Sequence, residues 1–425
     1  MFQKIEMPYA KKTVDISIEK KYLQGILRPR TDEFDPKMSQ EEIVIKSLEN
    51  PIGTKKLSEL AIGKKKVVFI TSDHTRPLPS RVTVPLILKE IRKGNPDAEI
   101  TILIATGFHR PTTREELIYK MGGEVVDNEK ICNHISTNDK DQMFMGILPS
   151  GGDLYLNKLA MEADLLIAEG FIEAHFFAGF SGGRKSILPG VASAKTIMYN
   201  HCSEFISSPK SRTGNLKDNP IHKDMVFAAK QSRCAFILNT VINSEKDIIG
   251  CFTGDISEAH LVGCKFVEEL AAVKKKVADI GITTNGGYPL DQNIYQTVKG
   301  LTAAEATTRE GGVLITLSSC VDGHGGEGFY NSVASAKNPN EILGKVANIK
   351  KEDTLPDQWE FQILARLLSK YTVIIVTDEC EPKLIKNMHM EHAFTFEEAL
   401  EKAKLIVGKE ATITVVPDGV STIVK

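Results

Sequence analysis

The amino-acid sequence predicts an α/β protein with two domains, each built on a mostly parallel sheet with flanking helices. Short apolar, β-branched runs alternate along the chain with longer segments of helical periodicity, an order typical of parallel sheets covered by helices. The 425 residues are enough for two or three domains with their own cores. Polar residues cluster directly after several apolar runs, where α/β proteins bind ligands. We therefore expect the active site in the cleft between the domains.

Seven apolar runs predict strands, and helical segments separate most of them. The runs cover 66–71, 99–105, 164–168, 235–241, 277–283, 312–317 and 371–376. Helical periodicity predicts helices over 79–92, 257–273, 339–347 and 358–368. Residues 111–116, Pro-Thr-Thr-Arg-Glu-Glu, have the proline, threonine and acidic groups of a first helical turn. The last apolar run, 411–420, is typical of a hairpin around a Pro-Asp-Gly turn.

We expect two domains with a discontinuous boundary. Residues 1–273 together with 407–425 are expected to form an N-terminal catalytic and cofactor-binding domain, and 277–406 a C-terminal domain that closes over the site. The lysine run 274–276 ends a long predicted helix and is typical of a solvated terminus or linker. The terminal hairpin would then return to the first domain.

Composition excludes several classes of protein. A formal net charge of -2 gives no electrostatic argument for binding nucleic acid or an anionic membrane. No apolar run approaches the roughly 18–20 residues of a membrane span, and residues 1–21 lack the apolar core of a signal peptide. The seven cysteines are an odd number without a CxxC pair, which favours free thiols. We expect a cytoplasmic protein without a nucleic-acid or membrane partner.

Polar clusters follow the first two predicted strands. Thr71-Ser72-Asp73-His74-Thr75-Arg76 comes after the first strand, and a helix N-cap would explain Asp73 or Thr75 but not Arg76 as well. His109 follows the second strand in Gly107-Phe108-His109-Arg110. Taken alone, a loop histidine is more often structural. Paired with His175 at another strand end, it becomes a candidate acid–base group.

The third cluster runs from Glu173 to Gly190 and contains His175, four glycines near it, Arg184 and Lys185. Its segment Gly179–Ser186 nearly matches the nucleotide-binding P-loop, but Arg184 stands where the pattern requires glycine. A bulky side chain there would obstruct a phosphate cradle, so we favour another use. Lys185 offers a nucleophilic amine and His175 a titratable base.

The fourth cluster follows the predicted strand 277–283. An Asn285-Gly286-Gly287 turn precedes Gln296 and Lys299, which are spaced i,i+3 and share one face of a helix. These two side chains could hold a carboxylate. A solvated lysine and glutamine would be an equally good interpretation of this spacing alone.

Together these clusters closely resemble the nickel-pincer-dependent lactate racemase family, over essentially the whole chain and in the same order. The most specific blocks are Ser72-Asp73-His74-Thr75-Arg76-Pro77, Thr106-Gly107-Phe108-His109-Arg110-Pro111, Glu173-Ala174-His175-Phe176-Phe177-Ala178-Gly179, Ser181-Gly182-Gly183-Arg184-Lys185 and Asn285-Gly286-Gly287-Tyr288-Pro289.

The resemblance implies a nickel-pincer nucleotide, a pyridinium-3-thioamide-5-thiocarboxylic acid mononucleotide, covalently attached at Lys185. The family's protein ligand to nickel matches His201, and soft sulfur donors with an imidazole suit nickel. The resemblance also implies that the enzymes of cofactor biosynthesis are partners. The four residues expected against the cofactor are Asp73, His74, Thr75 and Arg76.

The resemblance further implies the catalytic and substrate-holding residues. The family's two catalytic histidines match His109 and His175. Its substrate-holding positions match Arg76, Gln296 and Lys299, and its tryptophan beside the site matches Trp359, the only tryptophan of the chain.

The chemistry expected of such a family agrees with these residue types. The carbinol hydrogen of a 2-hydroxy acid is barely acidic, but its removal as hydride gives a flat 2-keto acid and erases the stereocentre. An electrophilic cofactor accepts the hydride while a histidine takes the hydroxyl proton. Return of the hydride to the other face calls for a second base.

The sequence thus predicts a racemase of a small 2-hydroxy acid, with lactate as its substrate. The nearest alternative is a racemase or epimerase of another 2-hydroxy acid, such as malate or a sugar acid, with the same cofactor. A nucleotide-dependent phosphotransferase using the near-P-loop and a non-catalytic carrier of the cofactor are more distant alternatives.

Overall fold

The computed structural model describes all 425 residues and is built around two six-stranded sheets. Each sheet is dominated by parallel pairing and is flanked by helices, so the predicted fold class is confirmed. None of the helices combines the length and the apolar character that are needed to cross a membrane.

The first sheet contains the predicted strands of the N-terminal half. In spatial order its strands are Ile248–Gly254, Phe236–Ile242, Leu165–Phe171, Lys66–Ser72, Glu99–Ala105 and Lys130–Asn133. Only the edge strand Ile248–Gly254 runs antiparallel to its neighbour. The chain order reverses between Lys66–Ser72 and Leu165–Phe171, which lie side by side. At such a switch point the loops after the two strands diverge and leave a crevice for ligands.

Helices surround this sheet on both faces. They are Gln40–Glu49, Leu57–Ala61, Ser80–Gly94, Arg114–Met121, Gly123–Asn128, Lys158–Met161, Ala194–Asn200, Ser203–Ser207, Pro220–Gln231 and Glu258–Ala271, with 3-10 turns at Thr31–Glu33, Asp139–Asp141 and Gly183–Ser186. The helix predicted from residues 111–116 begins at Arg114. Thr113 caps it through a reciprocal capping box with Glu116.

The second sheet is parallel throughout. Its strands are, in spatial order, Glu391–Ala393, Thr372–Val376, Thr308–Leu317, Ala278–Thr284, Ile413–Val416 and Leu23–Ile26. Its helices are Ile294–Thr307, Glu327–Ala334, Pro339–Ala347, Gln358–Leu368, Pro382–Asn387 and Phe396–Val407, with a 3-10 turn at Lys351–Asp353. The chain order of this sheet reverses between Ala278–Thr284 and Ile413–Val416, which lie side by side. The helix that follows Ala278–Thr284 in the chain carries Gln296 and Lys299.

Four two-stranded ladders complete the fold. They are Phe2–Tyr9 with Lys12–Glu19, Gln142–Ile147 with Asp153–Asn157, Ala174–His175 with Gly179–Phe180, and Ala272–Val273 with Ile423–Val424. The third of these carries His175 and holds the start of the Glu173–Gly190 segment in place.

Both ends of the chain pack on the second sheet, and this corrects the expected placement of 407–425 with the first domain. Ile413–Val416 pairs with Ala278–Thr284 on one side and with Leu23–Ile26 on the other. The N-terminal hairpin before Leu23 covers the same sheet, because its buried residues share one core with those of the sheet. The alternation of apolar and polar residues in the hairpin is that of a strand with one buried face.

The sequence predicted a hairpin around the Pro417-Asp418-Gly419 turn, and this prediction is wrong. Ile423–Val424, beyond the turn, pairs in parallel with Ala272–Val273 instead of folding back on Ile413–Val416. The turn is held by Asp418, whose Oδ1 accepts hydrogen bonds from the amides of Val420 and Ser421. An Asx turn can therefore redirect a chain without making adjacent strands antiparallel.

The two sheets share a core where they face each other. Buried residues of the first sheet, such as Ile70 and Leu166, belong to the same apolar cluster as Leu314 and Val373 of the second. A direct polar contact also crosses the interface, where Gln362 Nε2 donates to the Ser203 carbonyl at 2.9 Å. The shared apolar core and this hydrogen bond therefore hold the two domains together beside the cleft.

We predict that Ile16→Ala lowers the free energy of unfolding by about 2–5 kcal/mol, since it removes a large side chain from a packed core. Ile16 is 0% exposed in the core that the hairpin shares with the second sheet. Urea denaturation would measure the change. Ile62→Ala is the matched control, because Ile62 is 65% exposed, and it should have almost no effect. Equal stability of the two variants would contradict the packing of the hairpin.

Candidate active site

The crevice at the first switch point receives two polar loops. The loop that begins at Ser72 leaves one of the two central strands, and Glu173 and His175 follow the other. The loop with His109 leaves the next strand, Glu99–Ala105. The parallel register of the three strands brings their carboxyl ends to one edge of the sheet, so three of the four predicted clusters meet there.

Asp73 and His109 form a close pair across two of these loops. The Asp73 Oδ2 atom lies 2.6 Å from His109 Nδ1, and Asp73 Oδ1 accepts hydrogen bonds from the Thr75 amide and hydroxyl at 3.1 and 2.7 Å. Burial opposes ionisation of Asp73, but the bond to His109 and the charge of Arg76 outweigh it and lower the pKa of Asp73 to about 2. A carboxylate on Nδ1 fixes the proton there and leaves Nε2 of His109 as a free acceptor.

His175 has the opposite arrangement. Its Nδ1 accepts a hydrogen bond from the Ala178 amide at 3.3 Å, so the neutral ring carries its proton on Nε2. Burial and the cations of Lys185, Lys299 and Arg76 hold the pKa of His175 well below its usual range. The site thus presents one imidazole nitrogen that can accept a proton and one that can donate a hydrogen bond.

Lys185 lies on a tight turn beside His175. Burial and the cations of Arg184 and Arg76 hold the pKa of Lys185 well below its usual range, although the Glu173 carboxylate opposes them. Its Nζ lies 5.9 Å from the centre of the Phe177 ring. Such surroundings favour the neutral, nucleophilic form of the Lys185 amine.

Arg184 ties this turn together and does not face an open phosphate cradle. Its guanidinium is 2% exposed and donates to the Ala178 carbonyl at 2.8 Å and to His222 Nδ1 at 3.1 Å. Gly183, which precedes it at φ +51°, has no room for a side chain, since a Cβ there would lie 2.5 Å from the His260 ring. The arginine thus fills the space that a P-loop keeps open.

The Glu173 carboxyl is affected by burial and by basic side chains from both domains. Burial has the largest effect and raises the pKa of Glu173, while Arg76, Lys299, Lys246 and Lys185 oppose this rise. Arg76 comes from the first loop and Lys299 from the second domain. The sequence motifs alone did not assign a role to Glu173. Its position between a buried strand and His175 could have indicated a functional role.

His201 is buried behind Lys185 and adjoins the second domain. Its Nδ1 donates to the Ile197 carbonyl at 2.9 Å, which leaves Nε2 as the free nitrogen. Burial and the charge of Lys185 lower its pKa to about 4, so the ring is neutral. The Trp359 ring lies 5.1 Å from it and the Phe177 ring 5.4 Å.

The second domain contributes the predicted Gln296 and Lys299 and a carboxyl that the sequence did not reveal. Lys299 Nζ donates to Gln296 Oε1 at 2.6 Å. Glu360 is 1% exposed, and its Oε1 has no hydrogen-bond partner. Burial raises the pKa of Glu360 despite the nearby charge of Lys299. The helix Gln358–Leu368 is apolar on most sides, so a glutamate within it was a usable sign of function.

His74 and Thr75 are held in the first loop in different ways. Thr75 bonds to Asp73 and lies 3.5 Å from His109 Nδ1, inside the cluster. The His74 ring turns toward the helix Arg114–Met121, with its Nδ1 3.3 Å from Thr112 Oγ1 and 3.7 Å from Glu116 Oε2. The structure therefore brings Thr75, but not the Nδ1 side of His74, to the Asp73–His109 pair.

The residues present fit the lysine-tethered, nickel-bearing cofactor that the family resemblance implies. Lys185 has the depressed pKa of a nucleophile, and His201 has a free, neutral Nε2 of the kind that binds metals. No group of three or more protein side chains could hold a metal ion by itself. A metal at His201 would therefore need its remaining donors from the cofactor, which is the situation that the family implies.

Comparison with known proteins gives a consistent result over the whole chain. Residues 9–214 match the model of the lactate racemase N-terminal domain, and residues 273–424 match that of the lactate racemase C-terminal domain. The lactate racemase of Lactiplantibacillus plantarum is 56% identical over 421 residues, and that of Thermoanaerobacterium thermosaccharolyticum is 55% identical over 421 residues. Each alignment covers 99% of both chains.

Solved structures show the same fold. The lactate racemase apoprotein from Thermoanaerobacterium thermosaccharolyticum superposes with a TM-score of 0.97 at 55% identity and covers 100% of both chains. A Thermotoga maritima protein superposes with a TM-score of 0.66 at 19% identity and covers 92% of this chain and 100% of its own. At that identity the second likeness concerns the fold alone.

We predict that Asp73→Asn destabilises the protein more near neutral pH than in acid. With its pKa lowered to about 2 from the usual 3.8, the ionised carboxylate stabilises the fold above pH 4 and loses this effect as the pH falls to about 2. The lowered pKa corresponds to about 2 kcal/mol. Urea denaturation of both proteins over about pH 2 to 7 would test this. A stability difference that does not change with pH would contradict it.

Proposed function

The chain belongs to the lactate racemase family, and we propose that it interconverts D- and L-lactate through a 2-keto acid intermediate. When bound at Lys185, a nickel-pincer nucleotide would supply the electrophile that takes the carbinol hydrogen as hydride and returns it. The observation that best supports this proposal is the pair of imidazoles with opposite free nitrogens, His109 held at Nδ1 by Asp73 and a neutral His175 that accepts at Nδ1 from the Ala178 amide, beside the basic groups of Arg76 and Lys299.

We propose that Lys185 and His201 hold the cofactor. The Lys185 amine, whose pKa is lowered, can form a covalent bond, and His201 Nε2 can bind nickel while its Nδ1 bond to Ile197 keeps the ring oriented. Asp73, His74, Thr75 and Arg76 line the opposite loop and are the expected contacts to the rest of the nucleotide. The enzymes that make this nucleotide are the expected protein partners.

His109 and His175 are the proposed acid–base pair. His109 Nε2 is free to accept the hydroxyl proton of one enantiomer, because Asp73 holds its Nδ1 proton and stabilises the imidazolium that forms. His175 Nε2 carries a proton that can stabilise the carbinol oxygen. For the other enantiomer the two histidines exchange roles, which requires His175 to give up its bond to Ala178.

Arg76, Gln296 and Lys299 are the proposed clamp for the substrate carboxylate. Arg76 comes from the first domain and the other two from the second, so a bound carboxylate would join the domains. A carboxylate held in this way would keep its position while the flat intermediate presents its other face. Trp359 closes the cleft beside His201 and limits access of water.

We predict that Lys185→Arg abolishes covalent loading of the cofactor, because the guanidinium keeps the charge but is not a nucleophile at neutral pH. Intact-mass measurement with nickel analysis would show the adduct on the wild-type protein made together with the biosynthetic enzymes. Lys195→Arg is the matched control, since Lys195 is exposed in a surface ion pair, and it should load normally. An adduct on the Lys185→Arg protein would refute the proposed attachment.

We also predict that His109→Gln and His175→Gln each reduce kcat by about 10²–10⁴-fold, the usual contribution of a general acid or base. Racemisation of D- and L-lactate would be followed separately by chiral chromatography. His389→Gln is the control, because His389 bonds to the Val333 carbonyl outside the cleft. Full activity in either cleft variant would disprove the assigned roles. A panel of other 2-hydroxy acids would define the substrate range.

A further inference from the structure

A buried carboxylate lies beneath the loop that carries Asp73. Glu169 is 1% exposed in the middle of the strand Leu165–Phe171. Its two oxygens accept hydrogen bonds from the hydroxyls of Thr71 at 2.6 Å, Ser80 at 2.6 Å and Thr83 at 2.5 Å. Bonds of this length are those of hydroxyls to a charged carboxylate.

The partners of Glu169 bracket the loop. Thr71 is the next-to-last residue of the strand before it, and Ser80 is the first residue of the helix after it. All of Asp73, His74, Thr75 and Arg76 lie between these two points. Glu169 therefore closes the base of the loop whose tip makes the 2.6 Å contact to His109.

A buried lysine connects the same loop to the loop of His109. Lys120 is 8% exposed on the helix Arg114–Met121, which follows the His109 loop. Its Nζ donates to Ser72 Oγ at 3.1 Å. Burial lowers the pKa of Lys120, and the carboxylates of Glu169 and Asp73 are the charges that oppose this fall.

We propose that Glu169 and Lys120 are positioning residues that hold the Asp73 and His109 loops at the separation their hydrogen bond requires. Neither side chain lies among the groups assigned to substrate or cofactor, and both act from below the crevice. The inference concerns the geometry of the pair, and only its effect on turnover rests on the proposed function.

The physical reason is that each charge is buried with polar groups that belong to the loops. If Glu169 became neutral, three buried hydroxyls would lose their anionic acceptor, and Lys120 would lose a compensating charge. The loop base could relax only by moving Thr71 or Ser80. Because Asp73 is only two residues after Thr71 in the chain, a movement of Thr71 would also displace Asp73 from its contact with His109.

The test measures the His109 tautomer in the protein without cofactor or substrate. Long-range ¹⁵N–¹H correlation of the imidazole rings, assigned with His109→Gln, should show the Nδ1–H form of His109 in the wild type. We expect Glu169→Gln and Lys120→Met to give a mixture of tautomers, as Asp73→Asn should. In loaded enzyme, kcat should fall by about tenfold to a hundredfold, with KM changed by less than about twofold.

Ser72→Ala provides a milder variant if the two buried substitutions prevent folding. It removes the acceptor of Lys120 at a half-buried position and should also mix the tautomers. Thr253→Val is the matched control in the same sheet. It removes a buried hydroxyl that donates to the Ser47 carbonyl at 2.6 Å, so it should lower the melting temperature without changing the tautomer or kcat.

Retention of the pure Nδ1–H tautomer in a folded Glu169, Lys120 or Ser72 variant would overturn the proposal. A change of tautomer in Thr253→Val would also overturn it, since general loosening of the sheet would then suffice. The tautomers could follow the expected pattern, Nδ1–H in the wild type and a mixture in the variants, while the loaded protein racemises no substrate. That result would support the positioning role and refute the proposed function.

Discussion

Desolvation of charge in the cleft is the constraint on which the rest of this site depends. His175 and Lys185 are half-buried, and the charges of Arg76 and Lys299 act on both of them. Burial makes the charged form of each costly, and repulsion from the neighbouring cations adds to that cost. These effects favour a neutral His175 and the nucleophilic form of the Lys185 amine, which are the protonation states that acid–base and covalent chemistry require.

The turn that carries Lys185 shows how the protein maintains this state. Arg184 is buried among neutral groups: it donates to the Ala178 carbonyl and to His222 Nδ1, and its Nη1 lies 3.0 Å from His260 Nε2. Burial lowers its pKa to about 10, which still leaves it charged at neutral pH. Because no carboxylate pairs with it there, its field extends to Lys185. One arginine thus both orders the turn and favours the neutral form of the neighbouring amine.

Local patterns in the sequence predicted much of the fold and most of the cleft. Runs such as 66–71 and 99–105 specify buried strands by composition, and polar residues after them mark the crevice. The partners of the two chain ends could not be predicted in the same way. Leu23–Ile26 and Ile413–Val416 are adjacent in space but almost four hundred residues apart in sequence, and such pairing is decided by packing of the whole sheet.

Residues that act through others escaped sequence reasoning for a related reason. Glu169 in a strand and Glu360 in a helix each interrupt an apolar segment, but the chain does not show which hydroxyls or cations they face. Their partners come from separate elements, and only the folded register brings them together. A polar residue within a buried run is therefore informative, although its function becomes visible only with its neighbours.

The balance of charge in the cleft explains why the site suits an anionic substrate. Burial raises the pKa values of Glu173 and Glu360, so these acids compensate the nearby cations only in part. The excess positive charge lies between the two domains, with Arg76 on one side and Lys299 on the other. In the proposed function, a carboxylate that entered the cleft would supply the missing charge to both domains at once. Substrate binding would then depend on groups from both domains, and a neutral molecule of similar size would lack this interaction.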